Sequence, residues 1–327
     1  MRASPEDFYV EEDLGFELEG AGEHAFVRVE KRGANTEWVA RQLASYAGVA
    51  PGAVSYAGMK DRHAVTRQTY SVHLPGKPDP DWHALANAEF RVLEARRHNR
   101  KLKRGAHRAN EFRIVLRDVT GDHTAAQRCI ERIAALGVPN YFGEQRFGRG
   151  GDNLERARAM FAGRRAQRHE QGLLLSAARA FLFNRVLARR VCSGNWNAAL
   201  EGEVWMLAGS HSIFGPEPLT GALIERLASG DIEPTGPMFG EGELRSASDV
   251  ADVEQAVAGE HSDLLRGLAR NGLRQERRSL VLRAQNFAAS WLPDGGLELR
   301  FRLNKGSYAT VLVRELCTFN ALQEFPE

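Results

Sequence analysis

Gly58-Met59-Lys60-Asp61-Arg62-His63-Ala64-Val65-Thr66-Arg67-Gln68 sets one acid between two cations on a turn that connects two strand-like stretches. Val54 to Ala57 is short and apolar and runs into Gly58, the residue expected to make the turn possible. Beyond the turn, Gln68-Thr69-Tyr70-Ser71-Val72-His73-Leu74 alternates in polarity and ends at Pro75-Gly76. A strand, a charged turn and a second strand make this part of a sheet rather than of a helical bundle.

The same patterning continues outward. Phe26 to Glu30 alternates as a half-buried strand, and Thr36 to Tyr46 places Trp38, Val39 and Leu43 at helical spacing before Gly48. Phe112 to Val119 is a further strand, and Asp122 caps a helix that runs to Leu136 and stops at Gly137 and Pro139. The first third is therefore mixed α/β. In the middle, Ser176 reads as the cap of a long helix to Val191, with short helices expected between Ser193 and Glu276. Leu297 to Leu303 alternates as a strand, and Lys305-Gly306-Ser307 turns the chain into a last helix, Tyr308 to Leu316.

Composition narrows the class. The chain has 327 residues, 43% hydrophobic and 26% charged, which suits about two domains or one domain with an insertion. Net charge is +2, but the 44 basic residues comprise six lysines and 38 arginines, and a guanidinium forks well onto phosphate. A GC-rich coding sequence accounts for most of that bias. Cys129, Cys192 and Cys317 are odd in number and widely spaced, which suits neither a disulfide scaffold nor a zinc site. The N-terminus has no apolar core of a signal peptide, and no stretch approaches the ~18 apolar residues of a membrane span. A cytoplasmic protein, with no membrane partner, is expected.

Three stretches can carry chemistry. Asp61 is read either as an exposed turn residue or as an ionised nucleophilic or acid/base carboxylate, its charge favoured by Lys60 and Arg62. With His63 alone beside it, a metal site is not expected. Arg96 to Arg108 holds seven Lys or Arg, among them Arg100, Lys101, Lys103 and Arg104, and no acid. That one-signed loop between two strands suits RNA phosphate, with Lys60 and Arg62 beside it. Asn140 to Gly148, followed by Gly150-Gly151, interleaves aromatics with Arg146 and Arg149. It suits base stacking and hinge packing about equally.

Taken together and in order, these stretches resemble the TruD family of tRNA pseudouridine synthases. The resemblance rests on Pro5-Glu6-Asp7-Phe8, on Gly58 to Gln68, and on Pro139 to Gly143 with Gln145 to Gly148. Ser176 to Arg179 with Leu182 to Asn184, and Lys305 to Thr310 with Arg314 to Leu316, complete it. It implies an α+β fold: a pseudouridine synthase catalytic domain with a mixed, largely antiparallel sheet, 1–136 plus 283–327, and an inserted, mainly helical TRUD domain, 137–282. It implies Asp61 as catalytic residue, and Phe8, Asn110, Phe112 and Tyr308 as substrate-binding residues. Arg2 stands where the family has a lysine and is the expected cation partner of Asp61; Asn304 stands where proline is common.

The implied reaction is isomerisation of uridine 13 in the D-arm of tRNA, with the base flipped out and neither cofactor nor metal required. The expected partner is tRNA, and a monomer is expected. The alternative is a non-catalytic RNA-binding or RNA-folding protein on the same scaffold, and a metal-dependent nuclease would need a carboxylate cluster not found in the sequence.

Overall fold

Alternation with period two carries further than the apolar residues alone suggest: Phe8, Val10 and Glu12 face inward, as do Val27, Val29 and Lys31. A computed structural model describes residues 4–317, with backbone alone at Arg149 and His169. In chain order the strands are β1 (Phe8–Asp13), β2 (His24–Arg32), β3 (Val54–Tyr56), β4 (Val65–His73), β5 (Phe90–His98) and β6 (Ala109–Leu116). Then come β7 (Val138–Pro139), β8 (Trp205–Leu207), β9 (Ile213–Phe214), β10 (Ile232–Met238), β11 (Glu276–Ser279) and β12 (Val281–Leu282), followed by β13 (Gln285–Trp291) and β14 (Leu297–Asn304). The helices are α1 (Thr36–Tyr46), α2 (His123–Leu136), α3 (Asp152–Phe161), α4 (Arg168–Cys192), α5 (Gly221–Ala228), α6 (Ser248–Glu260), α7 (Ser262–Arg270) and α8 (Ala309–Leu316).

By contact the described residues form two units, one of 4–130 with Ala284–Gly306 and the other of Glu131–Arg283 with 307–317. The first unit is built on one sheet in the order β13-β14-β6-β1-β4-β2-β5, with β3 pairing β4. Only β1 and β4 run parallel; every other neighbouring pair is antiparallel. The fold is thus α+β with a mixed, largely antiparallel sheet. Helix α1 covers one face, where Val39 and Leu43 bury against Tyr70, Val72, Trp82 and Phe90.

The register positions the site. On β6, Asn110 lies opposite Glu12 of β1 and Leu303 of β14, while Phe112 lies opposite Val10 and Phe301. Phe112 stacks on Phe301 at 5.2 Å between ring centroids and meets Phe8 edge-on at 6.2 Å.

In the second unit, α4 spans 25 residues and buries Leu174, Ala178, Leu182 and Val186 against Val257 of α6 and Leu264 and Leu268 of α7. A four-stranded sheet, β11-β10-β8-β9, lies beside these helices, and β12 pairs β7. Arg277 of β11 and Glu254 of α6, each with a side chain 1% exposed, pair at 2.8 Å between sheet and helix.

Several expectations are corrected. Ser176 does not cap a helix: α4 begins eight residues earlier, at Arg168, where Glu170 accepts from the Gln167 N–H at 3.3 Å. The region from Ser193 to Glu276 holds strands as well as short helices, because Pro234, Gly236 and Pro237 interrupt the alternation of β10 without ending it. The basic run is not all loop, since Arg96, Arg97 and His98 finish β5. Tyr308 precedes α8 as its cap rather than opening it.

Phe301 is 3% exposed and backs the ring of Phe112. Phe301→Ala is expected to cost about 3–5 kcal/mol, the range for emptying a buried aromatic site, as a lowered urea midpoint for this unit.

Candidate active site

The turn between β3 and β4 is held from below by a polar network. The Lys60 N–H donates to the Thr36 hydroxyl at 3.0 Å, and that hydroxyl donates to Gln68 Oε1 at 3.0 Å. Gln68 Nε2 donates to the Gly58 carbonyl at 3.0 Å, and the Tyr70 hydroxyl donates to Gln68 Oε1 at 3.1 Å. Thr36, Gln68 and Tyr70 are each 1% exposed or less, so the two bonds among their side chains form away from competing water, while those to the turn backbone are partly buried. Within the turn, the His63 N–H donates to Asp61 Oδ1 at 3.2 Å. Gly58 does not adopt a left-handed backbone, so the turn does not depend on glycine's freedom there. The network supplies the constraint that Gly58 was expected to supply.

Lys60 points inward. Its ammonium lies 2.9 Å from Glu12 Oε2 and donates to Asn110 Oδ1 at 2.6 Å. The Lys60 and Glu12 side chains are 7% and 0% exposed, so Lys60 is a buried structural cation rather than the phosphate contact expected of it. Asn110 spends its carbonyl on Lys60, and its Nδ2 group stays uncommitted among the described residues. Phe8 is buried, Phe112 and Asp61 are half-buried, and Arg62 is exposed with its Nε donating to the Gly33 carbonyl at 3.3 Å.

The basic loop is tied to this turn. Leu102 is 1% exposed and anchors the loop against Phe26 and Ala57. Its carbonyl accepts from the Ser55 hydroxyl at 2.9 Å, and the Gly105 N–H donates to the Ala57 carbonyl at 2.7 Å. Around that anchor Arg100, Lys101, Lys103 and Arg104 are exposed, and among the described residues none has an acidic partner. The Arg104 guanidinium lies 3.9 Å from the Tyr56 ring centroid. Arg97 and Arg108 are already committed, to Asp79 at 2.8 Å and Asp13 at 2.9 Å. His107 sits between loop and turn, its pKa lowered by burial and then by the Lys60 charge.

Tyr308 belongs to the second unit. Its hydroxyl accepts from Arg146 Nη2 at 2.7 Å, and Arg146 Nη1 donates to the Ser176 hydroxyl at 3.0 Å. The aromatic, glycine-rich run divides its work. Phe142 is 9% exposed, lies under the Arg278 guanidinium at 4.1 Å, and is clamped by Asn184, which accepts from its N–H at 2.9 Å and donates to its carbonyl at 3.0 Å. Tyr141, Phe147 and Gly148 instead line a cavity of about 600 Å³ against Leu154, Phe181 and Arg185. Arg2 lies outside the described residues.

Sequence reading missed Glu12, Lys31, Thr36 and Gln68 as parts of this site. Glu12 sits in an acidic run and Lys31 beside Arg32, so both look like solvated strand ends. The available signal was period two: each lies two residues beyond a buried valine, on the same face.

The comparisons with known proteins agree in kind. A family model described as tRNA pseudouridine synthase D (TruD) matches residues 1–155 and 157–316. The chain is 50% identical to tRNA pseudouridine synthase D of Xanthomonas euvesicatoria, over 97% of this chain and 90% of that protein. It is 49% identical to the protein of that name from Aeromonas salmonicida, over 97% and 90%, and 46% identical to that of Methylococcus capsulatus, over 98% and 91%. A crystal structure from Methanosarcina mazei, assigned as tRNA pseudouridine synthase D, superposes with a TM-score of 0.71 at 20% identity, covering 96% of this chain and 92% of its own. That likeness is one of fold.

Thr36→Val keeps the shape of the side chain but leaves the part-buried Lys60 N–H without its partner and Gln68 Oε1 with the Tyr70 hydroxyl alone. A loss of about 1–3 kcal/mol is expected, read from the denaturation midpoint.

Proposed function

The chain belongs to the tRNA pseudouridine synthase D family, and on that premise we propose that it isomerises uridine 13 in the D-arm of tRNA with Asp61 as nucleophile. The observation that carries this reading is the buried Lys60–Glu12–Asn110 cluster next to Asp61, which fixes the turn on which the carboxylate stands.

The reaction rearranges one nucleotide. The N1–C1′ bond breaks, the uracil turns, and a C5–C1′ bond forms. C5 loses its proton and N1 gains one, so the balance closes without a redox partner. Asp61 adds to the nucleotide, holds it while the base turns, and is released unchanged. The target uridine must leave its stack, which costs a few kcal/mol. Phe112 and Tyr308 offset that cost by stacking or edge contacts, with Phe8 backing Phe112. The uncommitted Nδ2 group of Asn110 suits a uracil carbonyl. Arg100, Lys101, Lys103 and Arg104, with Arg62, hold the RNA backbone, and residues 137–282 form the inserted TRUD domain.

Asp61→Ala is expected to abolish pseudouridine formation in tRNA, scored by mass spectrometry of the digested RNA, while tRNA binding persists. Appreciable turnover by that variant would remove Asp61 from the role. A wild-type protein that binds tRNA but leaves its uridines unchanged would instead mark a non-catalytic RNA-binding protein. Replacing Arg100, Lys101, Lys103 and Arg104 together by alanine is expected to weaken tRNA binding and to flatten the salt dependence of log K by roughly 3, at ~0.7–0.9 per lost phosphate contact.

A further inference from the structure

Lys31, near the end of β2, is 1% exposed, and its ammonium is turned into the sheet under the Asp61 turn. It donates to the Ala34 carbonyl at 2.7 Å and to the Asp61 carbonyl at 2.9 Å. Across the sheet its neighbours are Thr66 of β4 and Phe90 of β5, neither charged. The charges that act on it are those of Asp61 and Lys60. Burying an ammonium costs several kcal/mol, and a methionine of similar length would fill the same space at far less cost. Packing therefore does not account for a lysine here. Its geometry gives it a different consequence, since its positive end is bonded directly to the backbone carbonyl of Asp61.

We propose that Lys31 is the positioning cation of Asp61: it fixes the Asp61 backbone through the carbonyl and keeps a positive charge under the carboxylate. This rests on the reading of Asp61 as nucleophile, and it gives Asp61 a cation independent of Arg2. Burial pulls the Lys31 ammonium down from 10.5 to about 8, with Asp61 opposing that shift and Lys60 adding to it. The charge is therefore lost as the pH rises through about 8. The sign of the stability effect is opposite. The folded state sheds this proton before the unfolded chain does, so the penalty of the buried charge is relieved and stability rises as the pH climbs from about 8 to 10.5. A fall in rate over that range is not unfolding.

The test is the single-turnover rate of the full-length protein on tRNA as a function of pH, with Lys31→Met, Lys31→Arg and Asp61→Ala measured in parallel. The wild-type rate is expected to fall as pH rises through about 8. Lys31→Met should lose kcat by about 100-fold with KM nearly unchanged and should lack that alkaline limb. Lys31→Arg, which keeps its charge at all these pH values, should recover part of the rate and extend it to higher pH. A folded Lys31→Met with wild-type kcat, or a wild-type rate flat to about pH 9.5, overturns the proposal. If Lys31→Met does not fold, the wild-type profile and the arginine variant decide it. Turnover by Asp61→Ala would defeat the nucleophile reading itself; an inactive Asp61→Ala beside a fully active Lys31→Met would defeat only the role of Lys31.

Discussion

The ion pair between Lys60 and Glu12 is the constraint from which the rest of the site follows. At 2.9 Å and almost wholly shielded from water, it joins the turn before β4 to the central strand β1. Two such charges stay buried only if both remain in place, because removing one strands the other at a cost of about 3–5 kcal/mol. The pair therefore ties the parallel β1–β4 pairing to one geometry of the turn. Asn110 on β6 satisfies a further hydrogen of the ammonium and is thereby oriented with it. Two strands distant in sequence and the turn between β3 and β4 are locked around one cation, and the acid next to that cation stands on the same turn.

A site built this way has its charges arranged before any ligand arrives. In a low-dielectric setting, fixed dipoles and charges need no reorganisation at the moment of reaction, which is where most electrostatic catalysis originates. The Thr36–Gln68–Tyr70 chain has the same character, since each member is buried and each answers another's donor or acceptor. The aromatic side is fixed as well, with Phe112 held between Phe8 and Phe301.

Much of this was legible in the sequence, and the rest was hidden for definable reasons. Helix α1 was read residue for residue because its apolar spacing and following glycine agree with each other. The strand before the Asp61 turn was read as a short run ending at Gly58, and the strand after it from alternation, as was β14. Strand β1 was missed because Glu11-Glu12-Asp13 looks like a solvated acidic run, although every second residue from Phe8 to Glu12 is buried. Strand β10 was missed because two prolines and a glycine fall within it. Asp61 was singled out through its flanking charges and the motif around it. Glu12 and Lys31 were not, because a charged residue on a strand announces exposure unless its phase is followed past the last apolar residue.

The anchoring of Leu102 has a consequence for binding. A run of arginines and lysines on a free loop would lose conformational entropy each time it closed on a ligand, at about 1–2 kcal/mol per ordered residue. Here Leu102 is buried, and the loop backbone is pinned at Leu102 itself by Ser55 and three residues on, at Gly105, by Ala57. That ordering is completed when the protein folds, so the loop meets a polyanion as a rigid, already shaped surface. Only the outer methylenes of its cations remain to be ordered by whatever it holds.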